Sequence, residues 1–209
     1  MHYTELLRGV NAFRTGGENK LAVFPGSLYL DESSDAHYLD VIDAIRDAAG
    51  NAPAIVQIAM PFLKRWVRRV GFDEAQLLKA IRHFSPQIGQ WKLQEIPLWQ
   101  SRVEIIKLFG EFSSVVKFTG ASKALHILSP EFFMMWDERI RHGYGCYKNG
   151  EGYFNFLLRS QMEIHEITET YSKDHGSGRI SQKIYQGRVR SEVKLLDEYN
   201  FARFTKEWI

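Results

Sequence analysis

The sequence predicts an all-α, or nearly all-α, multi-helix globular domain. Three observations predict it. Apolar residues recur at helical spacing through most of the 209 residues, and strand-like alternation is confined to one short stretch. Proline and glycine then divide the chain into about eight to ten helical segments. Hydrophobic residues make up 44% and charged residues 25%, an ordinary globular composition that excludes wholesale disorder. The length suits one helical domain over 1–209, with residues 1–50 as an acidic N-terminal cap or subdomain as the alternative.

Residues 4–13 read as a short helix closed by Gly16 and Gly17. Residues 20–30 are the least helical part: Leu21, Val23, Leu28 and Tyr29 around Pro25-Gly26 fit a loop or a small extended segment. Ser34 or Asp35 caps a helix over 36–49, with Leu39, Ile42 and Ile45 on one face and Asp40, Asp43 and Asp47 on another. Pro53 suits the first turn of a helix reaching Val70, and Pro61 is expected to kink or split it. Asp73 caps a helix over 74–84, and residues 85–97 form a connection. The longest amphipathic segment is 98–118, where Val103, Ile106, Phe109, Phe112 and Val116 recur at helical spacing. Helical stretches over 120–128 and 131–144 follow, separated by a break at Ser129-Pro130. A glycine-rich loop over 143–152, a helix over 153–171, a mobile connection over 172–187 and a closing helix over 190–208 complete the chain.

Several function classes lack their residues. Cys146 is the single cysteine, so no intramolecular disulfide or multi-thiolate metal site can form, and no disulfide-linked partner is expected. The N-terminus lacks the basic start and apolar core of a signal peptide, and the uncharged stretch 48–63 is too short to span a bilayer. A cytoplasmic protein without a membrane partner is the simplest expectation. His165-Glu166 begins like a zincin motif, but Glu169 stands where the second histidine belongs, so no metal site is expected. The Gly143–Gly152 loop follows a helix, where a dinucleotide fingerprint needs a strand, so no cofactor is expected either. Glu192-Val193-Lys194 matches the tail of a nuclease motif that belongs on strands, not in a helical pattern.

Charge is unevenly distributed. Residues 1–63 carry four basic and eight acidic side chains, whereas the remainder has a net charge of +6. Lys64, Arg65, Arg68 and Arg69 share one helical face, and residues 173–194 form a second basic stretch. Such patches can neutralise phosphates, or be no more than solvated surface.

The segment 118–141 is the most unusual. A small-residue turn, Gly120-Ala121-Ser122, opens a helix with Lys123 in its first turn, where a cation opposes the helix dipole. Beyond Pro130, the apolar run Phe132-Phe133-Met134-Met135-Trp136 delivers Asp137 to the start of the next helix, a setting suited to a partly desolvated carboxylate. This segment resembles the core of the helix-hairpin-helix DNA glycosylases, with Gly120, Lys123, Pro130 and Asp137 at the matching positions. The resemblance covers about 25 of the 209 residues. It implies an all-α glycosylase-like fold and double-stranded DNA as partner, bound through the hairpin at Gly120 and Ser122 and through Lys64, Arg65, Arg68 and Arg139. It also implies a flipped damaged base against Phe133 and Trp136. Asp137 would stabilise positive charge at the sugar, and Lys123 would form a Schiff base where lyase activity is present. The alternative is a catalytically inert helical module that binds nucleic acid or a protein. A toxin-type or phage-defence nuclease is a further alternative.

Overall fold

A computed structural model describes residues 1–17, 32–67, 73–85, 87–181 and 191–209, with backbone alone for 32–36. Among them every regular element is helical, as the apolar periodicity predicts. The elements are α1 (Tyr3–Arg14), α2 (Glu32–Asp47), α3 (Ala52–Trp66), α4 (Glu74–His83), a 3-10 turn (Ile88–Gln90), α5 (Arg102–Leu128), α6 (Glu138–Gly143), α7 (Gly150–His175), α8 (Glu192–Asn200) and a π-helical turn (Phe201–Thr205). The expected extended segment at 20–30 lies outside the described residues, as do Arg68, Arg69 and most of the second basic stretch.

Local chemistry sets most boundaries. The Asp73 carboxylate accepts from the Ala75 and Gln76 amides at 3.0 and 3.2 Å, satisfying donors that a helix start leaves free. Asn51 caps α3 by accepting from Ala54 N at 3.2 Å. α2 begins at Glu32, so Ser34 and Asp35 lie inside the helix and do not cap it. Pro61 does not split α3. It sits on the exposed face with Gln57, whose carbonyl loses its helical partner to the proline.

Two stretches expected as separate helices run together as α5, and the break falls at Lys117 (φ 62°, ψ 173°), not at Gly120. Residues 131–136 are not helical, so the helix expected from Glu131 begins only at Glu138. α7 starts at Gly150, inside the expected loop, capped by Asn149, which accepts from Gly152 N at 2.8 Å. A Cβ on Gly152 would stand 1.8 Å from the Tyr147 carbonyl oxygen, so this glycine serves a tight turn and not a phosphate.

One continuous apolar core runs from Leu6 and Val10 of α1 through Ile42, Leu63, Phe109 and Phe112 to Leu196 and Tyr199 of α8. α5 packs against α2, α3, α4 and α7, and α1 packs against α8 and α7. Glu5 of α1 accepts from the Tyr199 hydroxyl at 2.6 Å and pairs with Arg203 at 3.4 Å, tying the acidic N-terminal region to the end of the chain.

Candidate functional site

The candidate site is built around the run 132–136, which crosses the core between α5 and α6. An irregular backbone there needs partners for its amides and carbonyls. Four buried side chains supply them. The Ser122 hydroxyl accepts from Trp136 N at 3.1 Å and lies within donating distance of the Thr119 and Trp136 carbonyls. The Tyr153 hydroxyl donates to Met134 O at 2.7 Å. Asp197 Oδ1 accepts from Met135 N at 3.0 Å, and His126 Nδ1 donates to Phe133 O at 2.7 Å. With Nδ1 carrying the proton, His126 Nε2 accepts from the Tyr38 hydroxyl at 2.7 Å. Burial pushes His126 down to about 3, a nearby Lys194 adds to the shift, and the Phe133 carbonyl opposes it.

This frame delivers Asp137 to the start of α6. Its Oδ1 accepts from Ile140 N at 2.9 Å, the N-cap bond expected from sequence, and its Oδ2 accepts from Thr205 Oγ1 at 2.6 Å. Lys123 lies one residue beyond Ser122. Its Nζ donates to the Trp66 carbonyl at 3.0 Å and lies 5.6 Å from the centre of the Trp66 ring. Burial lowers the Lys123 pKa, and the negative charge of Asp137 opposes that shift. The charge of Asp137 therefore reaches the Lys123 amine, which is held at the C-terminal end of α3. Lys64 and Arg65 are exposed on that same end.

The structure places the other expected residues as follows. Gly120 is buried inside α5, and a Cβ there would stand 2.9 Å from Val116 Cβ, so no glycine hairpin offers its amides to a phosphate. Ser122 is fully buried and serves the core, not a DNA backbone. Phe133 is 0% and Trp136 2% exposed. Trp136 packs on Phe109, Tyr153 and Phe156, and Phe133 on Phe132, Tyr153 and Phe84, so both fill the core where an open base pocket was expected. Arg139 is exposed but engaged, donating to Thr205 O at 2.8 Å and pairing with Glu207 at 3.2 Å.

The sequence reading missed the polar groups behind the run. α8 buries Lys194, Asp197, Glu198 and Asn200 beside its apolar residues. Lys194 pairs with Glu198 at 3.3 Å and lies 5.3 Å from the rings of Phe13 and Tyr38. Burial raises the Asp197 pKa well above its ordinary value, against the charge of Lys194. A short helix holding four charged side chains within nine residues reads as exposed, and only its position across the core buries it. Cys146 is buried and free, and burial raises its thiol pKa against the pull of Arg159 and Arg141, so no activated thiolate stands in the glycine-rich loop. Among the described residues no group of three or more His, Cys, Asp or Glu side chains is placed to hold a metal ion, and no helix is long and apolar enough to cross a membrane. No protein-family model, curated protein or solved structure matches the chain.

Proposed function

We propose that this chain is a DNA-binding protein of the glycosylase type, with Lys123 as an amine nucleophile and Asp137 as the carboxylate that stabilises positive charge beside it. The observation that carries this reading is the desolvated Lys123 amine, half-buried against Trp66 and within electrostatic reach of Asp137. A lowered pKa raises the fraction of unprotonated amine at neutral pH, and only that form attacks carbon. On an abasic deoxyribose, the amine adds to the C1′ aldehyde and water leaves, giving an imine whose protonated form is a cation. A carboxylate nearby favours that cation. The core packing of Phe133 and Trp136 directs the proposal toward sugar chemistry more than toward a base held between those rings. Lys64 and Arg65 provide phosphate contacts at the same end of α3.

A second reading is a catalytically inert helical module. It is favoured by the two structural hydrogen bonds that occupy the Asp137 carboxylate and by the filled aromatic core. Duplexes carrying uracil, oxidised guanine, alkylated adenine or an abasic site separate the two. Asp137→Asn keeps an N-cap acceptor, because asparagine caps as well as aspartate does, and removes the charge. The enzyme reading expects strand or base cleavage on one of these duplexes, reduced about 100-fold or more in Asp137→Asn with binding retained. Binding that weakens steeply with salt, without cleavage of any duplex, supports the inert module and sinks the enzyme reading.

A further inference from the structure

A groove of about 830 Å³ opens where the end of α2, the start of α3, the end of α4, the 3-10 turn and the end of α5 meet. Its volume falls in the range of small-molecule sites. Ile55 and Ile81 close the floor, while Phe84, Trp91 and Leu128 are half-buried along the walls and keep apolar surface uncovered. Four charged side chains line it: Arg46, Arg82, Lys92 and Glu131. Three cations against one carboxylate make a positive lining above an apolar floor. Arg46 is held by Asp43 at 3.2 Å and Lys92 by Glu95 at 2.9 Å, each within its own segment and exposed enough to exchange partners at little cost. Arg82, exposed in the last turn of α4, makes no ion pair among the described residues.

We propose that this groove binds an amphipathic monoanion, a carboxylate on an extended apolar body. The apolar body lies against Phe84, Trp91 and Leu128, where contact removes water from surface that the fold leaves open. The carboxylate pairs with Arg82, whose planar fork matches its geometry, and Arg46 and Lys92 add charge. Neither Lys123 nor Asp137 lines the groove, so the site stands independently of any chemistry at that lysine. Gly89 lies in the same wall, and a Cβ there would meet Phe84 at 3.7 Å and the Leu128 carbonyl at 3.8 Å, which are ordinary contact distances. A larger side chain at this position therefore enters the groove without disturbing the backbone.

Isothermal titration of the full chain with decanoate, and with 1-decanol as its neutral counterpart, tests the proposal. Decanoate is expected to bind once per chain and about tenfold more tightly than decanol, with Arg82→Gln weakening decanoate about tenfold and leaving decanol unchanged. Gly89→Leu, checked by circular dichroism for retained helix, is expected to abolish binding of both. Equal affinity for decanoate and decanol, an Arg82→Gln variant that binds decanoate as well as the parent, or no decanoate binding at millimolar concentration each overturns it. Because Arg82 is exposed, its substitution reads the site even where Gly89→Leu does not fold.

Discussion

His126 and Asp197 each bond the backbone of the run 132–136, with Nδ1 and Oδ2 3.6 Å apart. Their protons make stability depend on pH in opposite directions. Between about 3 and its ordinary 6.5, His126 is neutral in the fold and protonated in the unfolded chain, so its contribution falls as pH falls. Burial raises the Asp197 pKa in the fold above its ordinary 3.8, so its contribution is fully present below 3.8 and falls as pH rises. As pH rises from 3.8 the two slopes oppose each other. Asp197→Asn leaves the histidine slope alone, and the variant is expected to lose stability relative to the parent as pH falls toward 3.8, by about 1.4 kcal/mol per unit at the steepest. His126→Gln is expected to lose it in the other direction, as pH rises. Denaturant unfolding across this window checks both signs, and two variants that track the parent in parallel contradict the account. Neither residue was legible as part of the site, because the bonds they make are to backbone groups and carry no sequence spacing of their own.

Among the elements, α5 carries the sharpest departure from sequence expectation. The glycine at 120 invites a turn, yet the chain breaks at Lys117, with a backbone conformation that only glycine adopts readily. Lys117 is exposed, so its side chain offers little in return. Such a residue costs about 1–3 kcal/mol, part of which a glycine recovers. Lys117→Gly is expected to stabilise the protein by about 1 kcal/mol, raising Tm by roughly 2–4 °C at this chain length. Lys117→Ala gives no such gain, and equal melting temperatures for the two variants contradict the strain. Where a terminus was set by local chemistry, the sequence was a reliable guide: Asp73 and Asp137 both cap as their positions suggest. Where a close approach decides the residue, the sequence was not, as with Gly152, where the Tyr147 carbonyl leaves no room for a side chain.

For the whole molecule, helical periodicity made the class legible and composition made a single large core plausible. The arrangement of that core was not legible. Phe133 and Trp136 looked available because an apolar run after a proline can line a cleft or fill a core, and only the rings of Phe109, Tyr153 and Phe156 around them decide it. Lys123 and Asp137 were paired in the sequence by the family resemblance alone, and the structure holds the lysine at the C-terminal end of α3. What the spacing did not reveal was the Trp66 carbonyl that holds the amine, contributed from 57 positions earlier in the chain.

On the proposed function, the Lys123 amine forms an imine with an abasic sugar. Borohydride reduction of the full chain incubated with a duplex bearing one abasic site tests it most directly, because reduction fixes the imine as a covalent adduct that survives denaturation. An adduct is expected with the parent chain, with its loss in Lys123→Met and its persistence in Lys64→Met. No adduct with the parent chain, or an undiminished adduct in Lys123→Met, contradicts it.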